Sequence, residues 1–215
     1  MSGSWPWIPL ILLGAYHGLN PGMGWLFALA RGLQERSRAA VASSLVPIAL
    51  GHALAIALAI LLLRIIQGIL PFHLLKFIVA ALLFFLAAFR LFRARHPKGG
   101  GMRAGWWDLG WWSFLMASSH GAGLMVIPVL LARPMAGHAH HMMSADTVGN
   151  FNVSFLLAAV AVHTASLLVV AGALAITFYQ TYEKLGLSFL QRAWFNFDLL
   201  WAIALFGAAL AALFM

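Results

Sequence analysis

Six apolar runs dominate this chain, at about residues 5–30, 41–63, 74–92, 107–132, 151–178 and 194–214. An α-helix needs roughly 20 apolar residues to cross a bilayer, and these runs are far longer than the alternating strands of a membrane barrel. Hydrophobic residues make up 63% of the 215 and charged ones 8%, too little polar material to cover a water-soluble surface. The expected fold is all-α, a polytopic membrane protein of six transmembrane helices in contact with the lipid bilayer. The first, fourth and fifth runs exceed one crossing and must tilt, break or extend past the lipid.

The formal charge is +8. Its placement in short loops makes it a topology signal, so no nucleic-acid partner is expected. Arg31, Arg36 and Arg38 sit in loop 1; Arg90, Arg93, Arg95, Lys98 and Arg103 in loop 3; Lys184 and Arg192 in loop 5. Arg64, Lys76 and Arg133 fall on the other side. The positive-inside rule puts loops 1, 3 and 5 in the cytoplasm and both termini outside, periplasmic in a bacterial inner membrane. Tryptophans cluster near the run ends, as interfacial anchors do. The N-terminus lacks a basic leader, and the polar His17 and Asn20 within its apolar run favour a retained first helix. Zero cysteines exclude disulfides, thiolate metal sites and iron–sulfur clusters.

The chain also repeats. Residues 1–96 form one three-helix unit and 106–215 a second, joined by the Gly-rich, basic linker 97–105. The first unit carries G-A-Y-His17-G-L, then A-L-G-His52-A-L. The second carries A-S-S-His120-G-A-G, then A-A-V-His163-T-A-S, at His–His spacings of 35 and 43 residues. Three spans per half force opposite insertion, a 3+3 inverted repeat of the transporter kind, with the site expected near the midplane.

Chemistry concentrates in few residues. The stretch G-A-Y-His17-G-L-Asn20-Pro21-G-M-G places an imidazole, an amide and a proline at membrane depth, which hydrocarbon does not tolerate without partners. A helix interrupted at Asn20-Pro21 is expected, with unwound carbonyls facing the protein interior. Gly14, Gly18 and Gly22 recur every fourth residue and would let another helix approach closely. His17, His52, His120 and His163 fall at one predicted depth, which points to a shared transition-metal site. The competing reading gives each histidine a separate packing role. Imidazole without thiolate suits Ni, Co, Cu, Zn or Fe as cargo and disfavours Ca and Mg. Asn20 and Ser166, three residues after His17 and His163, are candidates for orienting contacts. A peripheral metal-binding segment is expected in loop 4, at His138, His140, His141, Met142 and Met143. Asp108 and Asp198, near the starts of spans 4 and 6, either cap helices or couple protons.

Six spans in inverted halves, external termini, an early intramembrane His17 and the His-rich loop 138–141 together resemble the lysine-exporter superfamily. The nearest branch is that of the nickel/cobalt exporters and the hydrogenase/urease accessory permeases. The resemblance implies export of a small cationic cargo. The nickel/cobalt permease signature, a His followed after four residues by Asp-His, is absent; the comparable place reads His17-G-L-Asn20-Pro21. The expected function is a small metal-cation transporter, proton-coupled through the histidines, in a size range that suits a homodimer. Two alternatives stand beside it: export of an amino acid or other small organic solute, and a membrane haem or metal-binding redox subunit. No phosphate loop, nucleophile elbow or His-Glu-x-x-His pattern supports a hydrolase or ATPase, so no enzymatic activity and no covalent cofactor are expected.

Overall fold

The computed structural model describes residues 6–67, 69–70, 72–92, 105–131, 152–185 and 197–213. These are all-α. The order is α1 (Trp7–Leu19), a 3-10 turn (Pro21–Met23), α2 (Trp25–Glu35), α3 (Arg38–Gln67), α4 (Phe72–Phe92), α5 (Trp106–Ser119), α6 (Ala122–Leu131), α7 (Val153–Leu185) and α8 (Phe197–Leu213). The His/Met segment 138–143 and linker residues 97–104 lie outside the described residues, as do the side chains of Asp198 and Lys76.

Two helices are long and apolar enough to cross a membrane, Arg38–Ile66 and Val153–Lys184. A third crossing arises if Trp106–Ser119 and Ala122–Leu130, bent by 57°, form one broken span. Apolar side chains such as Leu54, Leu61, Phe85, Leu157 and Val169 face outward, as lipid contact requires. This is the signature of an integral membrane protein.

Among the described residues the order interrupted helix, long helix, shorter helix occurs twice: α1–α2, α3, α4 and then α5–α6, α7, α8. The first interruption is where the sequence places it. α1 ends at Leu19, and Asn20 adopts an extended backbone (φ −72°, ψ 120°). Pro21 cannot donate to the His17 carbonyl four residues back, and the Asn20 N–H takes that carbonyl instead, at 3.2 Å. The Asn20 side chain then accepts from the Gly22 N–H at 2.8 Å. Gly24 starts α2 at φ 125°, with the Ile48 methyl 2.7 Å from where a Cβ would stand, so no other residue fits there.

The helices pack as two close pairs, each made from both halves of the chain. α1 lies on α7, with Gly14 against the His163 carbonyl and a Cβ at Gly18 only 2.6 Å from the Leu167 carbonyl. The Ser166 hydroxyl donates across this contact to the Ile11 carbonyl at 2.7 Å. α3 lies on α5 in the same way. Gly51 meets the Gly110 carbonyl, and the Ser113 hydroxyl donates to the Ile48 carbonyl at 2.8 Å. Pro47, inside α3, leaves the Ser43 carbonyl without its helical donor. The Trp106 indole supplies one at 3.3 Å. α4 and α8 form a third pair, and α3 crosses α7 between the first two.

One end of the bundle gathers the start of α3, the start of α5 and the end of α7. Trp106 on Ser43 joins the first two. Arg38 and Glu183 join α3 to α7 as an ion pair at 2.6 Å. α2 wedges between these helices, with Trp25 stacked on Phe178 at 5.2 Å and Gly32 against Val41 and Tyr179.

Candidate functional site

His17 on α1, His52 on α3 and His163 on α7 meet where the two close pairs touch. All three are 0% exposed. Their ring centroids form a nearly equilateral triangle: 5.0 Å from His17 to His163, 5.5 Å from His17 to His52 and 5.5 Å from His52 to His163. The His52 and His163 planes are parallel within 5°, and His17 stands edge-on at 70° and 71° to them.

The hydrogen bonding of the three rings is uneven. His17 Nδ1 lies 2.7 Å from the Leu13 carbonyl. A carbonyl only accepts, so that nitrogen carries the proton and the lone pair is on Nε2. A backbone partner of this kind fixes ring direction and tautomer in metal-binding imidazoles. Neither nitrogen of His52 has a hydrogen-bond partner among the described residues. His163 also lacks one of good geometry at either nitrogen, although the Leu10 carbonyl is close enough to polarise it. Beside it the Thr164 hydroxyl is buried and unpartnered among the described residues. A buried polar group left this way costs about 1–3 kcal/mol. Buried side-chain nitrogens in folded proteins are mostly hydrogen-bonded, to protein or to ordered water.

As the side chains stand, no group of three or more His, Asp or Glu among the described residues has metal-holding geometry. Three imidazoles on one ion, at nitrogen–metal distances of about 2.0–2.1 Å, place their centroids roughly 5.2–5.5 Å apart for tetrahedral or trigonal angles. The separations of 5.0–5.5 Å fall near that range, and the ring orientations do not converge on one point.

His120 lies elsewhere. It caps the end of α5, with its Nδ1 2.7 Å from the Met116 carbonyl and 3.4 Å from the Ser119 hydroxyl. In the first half the break begins at Asn20, three residues after His17; in the second, His120 occupies the break itself. Ala117 stands where His17 does. The motifs match by residue type but are offset by about one turn, so three of the four expected ligands come together. His120 faces the other break instead. A Cβ on Gly22 would lie 3.0 Å from the Met116 methyl and 4.0 Å from His120 Cε1, and the Trp112 indole donates to the Gly22 carbonyl at 3.3 Å.

The remaining expected residues sort by contact. Asn20 and Pro21 shape the first break. Ser166 binds Ile11 and serves the α1–α7 contact rather than the rings. The exposed Asp108 accepts from the Gly105 N–H at 2.8 Å, which is helix capping. Trp106, Trp112, Ser113 and Thr164 were not singled out for these roles by the sequence. Pro47 was the available signal for Trp106, because a proline inside a buried helix leaves a carbonyl that some donor must serve. An open apolar groove of about 400 Å³ lies between α1, α6 and α8, and no histidine lines it.

Comparison of the chain with family models, curated proteins and solved structures finds no match.

Proposed function

We propose that this protein is a small membrane transporter that exports a transition-metal cation, with His17, His52 and His163 as its transient binding site. The observation that carries this reading is the triangle itself: three fully buried imidazoles, from three helices, with both nitrogens of His52 unsatisfied among the described residues. A chain does not gain stability from such an arrangement. It gains a place where a cation that prefers neutral nitrogen is held weakly enough to leave.

Six crossings in two inversely inserted halves complete the proposal. The repeated order of interrupted, long and shorter helices supports it. The exchange of partners also supports it, since α1 packs on α7 as α5 packs on α3. Two interrupted helices meeting near the site are a transporter feature. This plan resembles the lysine-exporter superfamily and its nickel/cobalt branch. A proton and a cation compete for the same imidazole lone pair, which offers a route to proton coupling.

The geometry favours a monatomic ion over the two alternatives. Rings touching at 5.0–5.5 Å leave no space between them for an amino acid. A haem would need a porphyrin plane between rings already in contact.

The test is metal binding by the detergent-solubilised protein. Cobalt(II) should bind at one site per chain with a visible ligand-field spectrum of nitrogen coordination. The His52→Ala, His163→Ala double variant should lose that spectrum. Equal occupancy of wild type and double variant across Co, Ni, Cu, Zn and Fe would remove the proposal.

A further inference from the structure

The three histidines come from two helix pairs. His17 and His163 sit on the α1–α7 pair, which glycines and the Ser166–Ile11 bond hold in backbone contact. His52 sits on the α3–α5 pair, held by Gly51 against Gly110 and by Ser113 and Trp106 on α3 carbonyls. The seam between the pairs is the α3–α7 crossing. It has no glycine contact as close as those inside the pairs; Gly172 of α7 meets only the flexible Leu45 side chain. At one end of this seam stands the ion pair of Arg38, at the start of α3, with Glu183, in the last turns of α7. The guanidinium meets one carboxylate oxygen through two nitrogens, at 2.6 Å and 3.2 Å. Among the described residues it is the salt bridge that joins the two pairs; the other, Arg31–Glu35, lies within α2.

We infer that Arg38 and Glu183 form the latch of a gate, holding the α3–α7 seam shut at the end where loops 1 and 5 emerge. The inference rests on the transporter reading for its purpose, but its physical content is independent of the cargo. The Arg38 and Glu183 side chains are 63% and 38% exposed. An exposed pair contributes little to stability, which is what a latch that must open repeatedly requires. Behind it lies an apolar cluster in which α2 stands beside the seam: Trp25, Ala28 and Leu29 of α2 share it with Val41 and Ile48 of α3 and Ala171, Ala175 and Tyr179 of α7. Opening this end requires α2 to move with one of the two pairs, and the cluster so exposed lies on the way to His52 and His163.

The absence of native cysteine makes the test direct. Ala175→Cys places a thiol at a position 0% exposed, two turns inward from Glu183 on α7. A membrane-impermeant maleimide is applied to reconstituted protein from the loop 1 and loop 5 side. Labelling should be slow in this background and about threefold faster when Glu183→Gln is added, the scale of one exposed ion pair. The reversed pair Arg38→Glu, Glu183→Arg should restore slow labelling. High salt should accelerate the parent and leave Glu183→Gln unchanged. Monodisperse elution of each variant checks folding. In a second arm, Arg38→Cys and Glu183→Cys are bridged by a reducible cross-linker. The bridged protein should keep cobalt binding, lose cobalt flux in vesicles, and regain it on reduction. Unchanged labelling in Glu183→Gln, or undiminished flux while bridged, overturns the latch. Loss of metal binding in the unmodified protein overturns the cargo reading instead, and the labelling arm still decides the gate.

Discussion

His52 on α3 and His163 on α7 hold their imidazoles parallel within 5° and 5.5 Å apart, across the seam where two helix pairs meet. Parallel rings do not aim their nitrogens at a common point, and the described side chains form no metal-holding group as they stand. This arrangement bears on what each ring does for stability as well as for binding.

His52→Ala should lower cobalt affinity by at least tenfold while leaving the thermal midpoint in detergent within a few degrees of wild type. The substitution leaves a small cavity, but it also removes two unsatisfied nitrogens that each cost about 1–3 kcal/mol, and the two effects oppose each other. A paired metal titration and thermal melt checks this. A collapse of the melt with unchanged affinity would show that the ring is there for packing.

Cobalt binding should weaken as pH falls. Neutral imidazole is the ligand, so each proton on a ring competes with the ion, and acid favours the unbound form. Titrations from neutral pH into acid measure the loss. Binding that acid never weakens would contradict a histidine site.

Gly14→Ala should destabilise strongly, by about 1–3 kcal/mol or more, because the new methyl meets the His163 carbonyl backbone, which cannot step aside. Gly207→Ala, on α8, should be neutral or slightly stabilising, since nothing lies within 4 Å of the added carbon and alanine is the better helix former. Denaturation of both variants in the same detergent provides the comparison.

Trp106→Phe should cost about 1 kcal/mol by stranding the Ser43 carbonyl. The cost should shrink in a Pro47→Ala background, where a helical N–H is again available to that carbonyl. A double-mutant cycle reads the coupling; simple additivity would mean that the indole and the proline are unrelated.

Much of this arrangement could be read from the residues, and the limits have physical causes. The break at Asn20-Pro21 was legible because proline removes a specific hydrogen bond, while asparagine caps the next turn and glycine lets the chain re-enter a helix. The α1 glycine face was legible from its period of four, although Gly22 proved to belong to the break. His17, His52 and His163 were legible as a set because polar groups deep in an apolar run must face protein. His120 stands at the second break and outside the ring triangle, since A-S-S-His120-G matches G-A-Y-His17-G by type but not by distance from the break. The second interruption has no proline; Gly121, at φ 72°, makes the turn there. Ser166 looked like a neighbour of the site by spacing. Which face of a long helix meets which partner depends on packing between residues far apart in sequence, and local pattern carries no record of it.

The α1–α7 and α3–α5 contacts have a consequence for biosynthesis. Ser166 binds a carbonyl 155 residues earlier in the chain, and Gly14 must wait for the same helix. Helices α1 to α4 are thus made with their closest-packing surfaces bare, and neither half of the polypeptide contains a complete pair. Assembly is governed by late, non-local encounters. A ribosome stalled near the middle of the message would leave a fragment whose polar His17 and Asn20 have no destination. Co-expressed halves should recover one another in a way that either half alone cannot.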